Sequence, residues 1–172
     1  MRADLSTEAN VSPGRAALLA SSAFLVPVVL SASSAPSPNH PRIFFWYETL
    51  RKPWFKPPDW VIPVAWTGIE GSLAVAAYRL LRAPRSAARR SALALLSWNL
   101  LMIGSWSRLF FKRRNLALST VAAATMIGTG IELARRSRRV DPGASRATLP
   151  FVAWVSFATV LTAAIWHLNR RR

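Results

Sequence analysis

The chain has 172 residues, 52% of them hydrophobic, and carries 23 Lys and Arg against 7 Asp and Glu, a formal charge of +16. It has no cysteine, which excludes disulfides, thiolate metal sites and a cysteine nucleophile, and its two histidines are too few for a His-based metal cluster within one chain. No nucleic-acid partner is expected, because the basic residues lie in short clusters between long apolar runs, as headgroup contacts and topology signals do.

Residues 1–15 are polar and are expected to form a disordered tail. A first membrane span is expected over residues 16–35, in a stretch with no charge between Arg15 and Arg42, and Pro27 inside it predicts a kink. The same segment also has signal-peptide marks: Arg15 ahead of an apolar core, and Ser33-Ser34-Ala35 as a small-residue cleavage site. Asp4 and Glu8 in the leading region favour the uncleaved reading.

Residues 36–59 hold Pro36, Pro38, Pro41, Pro53, Pro57 and Pro58, a pattern that predicts a loop and no regular helix. Its aromatic residues, among them Phe44, Phe45, Trp46, Tyr47, Trp54 and Phe55, suit the water–lipid boundary, and the loop is expected to pack over one end of a bundle.

Span two is expected over 60–81. It contains Glu70, a lone carboxylate at membrane depth that should face the protein interior or a partner. Span three follows over 91–111, with Asn99 inside and Arg108 placed to snorkel near its end. Span four covers 116–134, where Gly128 and Gly130 suit close helix approach, and span five covers 148–168. Residues 170–172 form a basic tail. The expected fold is all-α, an integral membrane domain of five transmembrane helices over 16–169. The basic residues divide twelve to one side and eleven to the other, so the positive-inside rule sets no orientation. No paired carboxylates, nucleophile motif or phosphate-cradling glycine loop is visible, and the chain is not expected to be an enzyme.

Three tryptophan-rich segments carry the functional signal. The first is Trp46-Tyr47-x-x-Leu50-x-Lys52-Pro53-x-Phe55-x-Pro57-Pro58-x-Trp60, continuing to Trp66-Thr67. The second is Trp106-Ser107-x-Leu109-Phe110-Phe111. The third runs from Pro150-Phe151-Val152-Ala153-Trp154 to Ile165-Trp166-x-Leu168-Asn169. Together they resemble the tryptophan-rich sensory protein, or translocator protein (TspO/MBR), family over roughly residues 44–169. The resemblance implies a five-helix bundle, often a homodimer, that binds tetrapyrroles such as protoporphyrin IX and haem between its helices. It implies no obligatory cofactor. The ligand-contacting positions it points to are Trp60, Ile62, Trp66, Asn99, Trp106, Trp154, Ala158 and Leu161.

A porphyrin is a flat apolar disc with carboxylates on one edge. It needs aromatic faces, an apolar slot and cations at the rim. Trp60, Trp66, Trp106 and Trp154 are candidates for the faces, and Arg51, Lys52 and Lys56 for the propionates. The chain departs from the family where a Gln and a following Asn are usual and Asn99 and Ile103 stand instead. Thr120 replaces a usual acidic residue, and Thr162 a usual Asn. These changes bear on the ligand rather than on the fold, and they leave two other readings open: light- or oxygen-dependent porphyrin breakdown, and binding of sterol- or hopanoid-like lipids. The Arg- and Ala-heavy composition suggests a GC-rich genome and so a bacterial inner membrane.

Overall fold

The computed structural model describes residues 11–36 and 39–170. Among them the chain forms five long helices and one short one, with no strand. The long ones are α1 (Pro13–Ala32), α3 (Val61–Arg82), α4 (Ala87–Ser107), α5 (Leu116–Arg138) and α6 (Pro142–Asn169), and α2 (Pro41–Thr49) is the short one. A π-helical turn, Arg108–Lys112, extends α4, with Arg113 N–H donating to Arg108 O at 2.9 Å.

Local chemistry sets the boundaries. Pro13, Pro41 and Pro142 each stand in a first helical turn, where the missing N–H has no intrahelical acceptor to lose. Ser86, Asn115 and Asp141 cap α4, α5 and α6 by accepting from Arg89, Leu118 and Ala144 N–H. Arg135, Arg136 and Arg138 close α5, where the negative end of the helix dipole favours cations.

Several boundaries correct the sequence reading. The polar tail ends sooner than Arg15, because α1 begins at Pro13; residues 1–10 lie outside the described region. The proline-rich loop does contain a regular helix, α2, because no proline falls between Pro41 and Pro53. Helix α6 starts six residues before the expected Thr148, at the Asp141-Pro142 capping signal. Of the five long helices, α1, α3, α5 and α6 are long and apolar enough to cross a membrane. Helix α4, with Arg89, Arg90, Ser97 and Asn99 in it, is not in that group, so the structure supports four such helices where five spans were expected.

The long helices pack as a closed ring: α1 against α3, α3 against α6, α6 against α5, α5 against α4, and α4 back against α1. Leu73, Leu80, Leu96, Leu133, Phe151 and Val155 fill its centre. Two glycines allow close approach. A Cβ on Gly104 would stand 2.5 Å from Leu30 Cβ of α1, and one on Gly130 would stand 3.0 Å from the Phe151 ring of α6. Leu18, Val29, Val64, Val121 and Val160 project outward and exposed, as a lipid-facing surface requires. Glu70 faces inward and is only 7% exposed, as a carboxylate at membrane depth should be.

Candidate ligand groove

Between α3 and α6 lies an open groove of about 460 Å³. Ala65, Gly68 and Ile69 line it from α3, and Pro150, Ala153, Trp154 and Phe157 from α6. Small residues create the space: a Cβ on Gly68 would meet nothing within 4 Å. Trp154 and Phe157 are three residues apart on one helix, so both rings fall on the same face.

The rings form a continuous row. Trp66 meets Trp154 edge to face at 6.4 Å and 83°, and Trp154 lies 5.5 Å from Phe157. Phe157 meets Phe55 of the loop at 6.5 Å, and Phe55 meets Trp54 at 5.8 Å. The loop after α2 is thus stitched over the groove by Phe55. It is fixed from α6 as well: Asn169 Oδ1 accepts from Arg51 N–H at 3.0 Å while its Nδ2 donates to Arg51 O at 2.9 Å.

A second aromatic cluster is closed. Trp106 stacks on Phe110 at 4.9 Å and 21°, and Trp46, Tyr47 and Phe111 surround Phe110 edge to face. Ile165 and Leu161 of α6 and Leu116 of α5 complete its packing. Burial pushes the Tyr47 hydroxyl up to about 12, and the nearby charges of Asp59 and Glu48 add to the effect.

The anticipated ligand positions therefore divide. Trp154 lines the groove and Trp66 meets its ring from α3. Leu161 and Trp106 pack into the closed cluster, and Trp106 Nε1 donates to Ser119 O at 2.9 Å. Asn99 is fully buried between α4 and α5, donating to Leu95 O at 2.8 Å and accepting from Thr129 Oγ1 at 2.7 Å, so its amide is occupied within the bundle. Ala158 and Ile62 are half-buried and do not line the groove, and Trp60 stands 68% exposed ahead of α3. Among the cations, Lys52 Nζ lies 3.1 Å from Glu48 and 4.3 Å from the centre of the Tyr47 ring. Lys56 Nζ lies 2.6 Å from Asp59. Arg51 is exposed, and no carboxylate pairs with it among the described residues.

Sequence reasoning missed Phe55, Phe157, Gly68 and Asn169. The three-residue spacing of Trp154 and Phe157 was a readable sign for one of them. No local signal distinguishes Gly68 from any other helix glycine.

The pattern of the TspO/MBR family matches residues 22–167. The chain is 27% identical over 131 residues to the translocator protein of Ovis aries, covering 75% of this chain and 78% of that one. It is 29% identical over 127 residues to the tryptophan-rich sensory protein of Cereibacter sphaeroides, covering 74% and 78%. To the tryptophan-rich protein TspO of Chlorobaculum tepidum it is 29% identical over 150 residues, covering 86% and 94%.

Proposed function

This chain belongs to the TspO/MBR family, and from that premise we propose that it is a membrane receptor or carrier for porphyrin-like tetrapyrroles, of the protoporphyrin IX or haem type, held in the α3/α6 groove. With four helices long and apolar enough to cross a bilayer, this family member is a multi-pass integral membrane protein. The observation that carries the proposal is the row Trp66, Trp154, Phe157, Phe55 along a groove of about 460 Å³. Small-molecule sites run from roughly 300 to 1,000 Å³, and aromatic walls suit a flat π-ligand. Arg51 is the rim cation with no carboxylate partner among the described residues, so it is the candidate for a propionate; Lys52 and Lys56 would first have to leave Glu48 and Asp59.

Helix α4 is part of the same proposal. We read α4, which packs between α1 and α5 in the ring, as a fifth span with its N-terminal arginines at the membrane surface. A homodimer in a bacterial inner membrane, in contact with lipid, is the proposed setting, with no catalytic role.

The test is a titration of the detergent-purified protein with protoporphyrin IX in the dark, following Trp emission. Saturable quenching is expected, with affinity about tenfold weaker in Trp154→Ala, the loss of one good aromatic contact. Flat or purely linear quenching would sink the reading. A second reading, a site for sterol- or hopanoid-like lipids, is favoured by one observation: all seven residues lining the groove are apolar. Displacement of bound porphyrin by a sterol would bring it forward. If the chain instead degraded porphyrin, illumination would convert the porphyrin spectrum, and Trp154→Phe would slow that conversion.

A further inference from the structure

At the end of the bundle where α5 begins and α6 ends there is a second pocket, of about 360 Å³, lined by Arg113, Arg114, Asn115, Leu116, Ala117 and Trp166. Among the described residues no acidic side chain lines it. Glu48 of α2 and Asp59 of the following loop are taken by Lys52 and Lys56, and no carboxylate pairs with Arg113 or Arg114 among the described residues. The Asn115 side chain is committed to capping Leu118 N–H at 2.9 Å, so the pocket's positive character comes from the two guanidinium groups.

Arg114 is held in an unusual way. Its φ is 52°, the one left-handed non-glycine residue among those described. That conformation is disfavoured for an arginine, whose Cβ crowds the backbone there, and glycine or asparagine would adopt it more readily. The guanidinium carbon lies 5.3 Å from the centre of the Trp46 ring of α2. A cation–π contact of this kind reduces the freedom of the side chain before any ligand arrives. On the other side of the pocket, the Trp166 ring is 41% exposed, one turn short of the α6 C-terminus. A half-exposed tryptophan at a span end marks the headgroup level of a bilayer.

We propose that this pocket binds the phosphate of an anionic phospholipid headgroup, with Arg113 and Arg114 holding the phosphate and Trp166, Leu116 and Ala117 flanking the glycerol and the start of the acyl chains. Planar guanidinium groups suit phosphate oxygens. The apolar wall gives a lipid an advantage over free phosphate, which shares the anionic group but has nothing to lay against Trp166. This site is separate from the α3/α6 groove and does not depend on what that groove binds.

The test compares the full-length protein in detergent micelles with phosphatidylglycerol, phosphatidylcholine or inorganic phosphate added. Phosphatidylglycerol is expected to raise the Tm by about 2–4 °C, and the other two additions are expected to leave it unchanged. Arg113→Gln with Arg114→Gln should remove more than half of the gain, while Arg138→Gln with Arg139→Gln, at the other end of α5, should keep it. A full gain in the first pair overturns the proposal. An equal loss in both pairs overturns it too, because diffuse surface charge would then explain the effect. A matching gain from inorganic phosphate overturns the lipid assignment. A readout that keeps both arginines is quenching of Trp emission by brominated phosphatidylglycerol. Trp166→Phe should lower the quenched fraction, and an unchanged fraction overturns the site.

Discussion

Around Phe110, the rings of Trp106, Trp46, Tyr47 and Phe111 close on one another with no space between them. Around Trp154, the rings of Trp66 and Phe157 are neighbours, Ala65, Gly68 and Ala153 line the same space, and a groove remains. Both regions draw on α6 and on the loop that follows α1, and both are rich in tryptophan and phenylalanine. What separates them is the size of the residues between the rings. A tryptophan count reports aromatic content; the small residues decide whether that content becomes packing or a binding surface.

The contrast can be broken first at its strongest point. Phe110→Ala removes a ring that is 2% exposed and touches four other aromatic residues, and it is expected to destabilise the protein by about 3–5 kcal/mol in a denaturation series. A loss below about 1 kcal/mol would mean the cluster repacks as readily as a lipid-facing surface.

Alkaline titration probes the same cluster. The hydroxyl of Tyr47 is raised from 10.0 to about 12, first by burial. A raised folded value favours the neutral phenol in the folded protein. The associated stability is fully present below pH 10, and it declines as the pH rises through about 12. Ultraviolet titration should show one tyrosine ionising late in the folded protein and at the ordinary value after unfolding, and Tyr47→Phe should remove the late step.

Asn169→Ala unfastens the loop while leaving both clusters in place. It strands the N–H and C=O of Arg51, at about 1–2 kcal/mol. Hydrogen exchange should rise at Arg51 and its neighbours, and little elsewhere. Trp154→Ala is the smallest in stability, at about 1 kcal/mol, because one side of the ring faces the open groove. If Trp154→Ala instead cost as much as Phe110→Ala, the groove would be part of the core, and the contrast would fail.

Much of this was readable beforehand. Apolar runs bounded by charge marked α1, α3 and α5 to within a few residues. The order of the tryptophan motifs pointed to the TspO/MBR family, whose pattern covers residues 22–167. Helix α2 escaped because prolines were counted without regard to position: Pro41 at the first turn starts a helix, where a proline in its middle would break one. The site was less legible than the fold. Asn99 and Trp106 read as ligand groups by position, yet Thr129 and Ser119, 30 and 13 residues away, take up their polar atoms. Such pairings depend on how the helices rotate against one another, and no local pattern encodes that rotation.

The clamp between Asn169 and Arg51 joins residues 118 positions apart. During synthesis at about 5–20 residues per second, the loop leaves the ribosome roughly ten seconds before the side chain that fastens it. The ring contact between Phe55 and Phe157 likewise waits for α6 to be made. Fastening the loop is therefore a late event in the making of the protein. A released chain truncated after Leu168 should show residues 50–58 open to protease, and full protection would mean that the loop settles without its clamp.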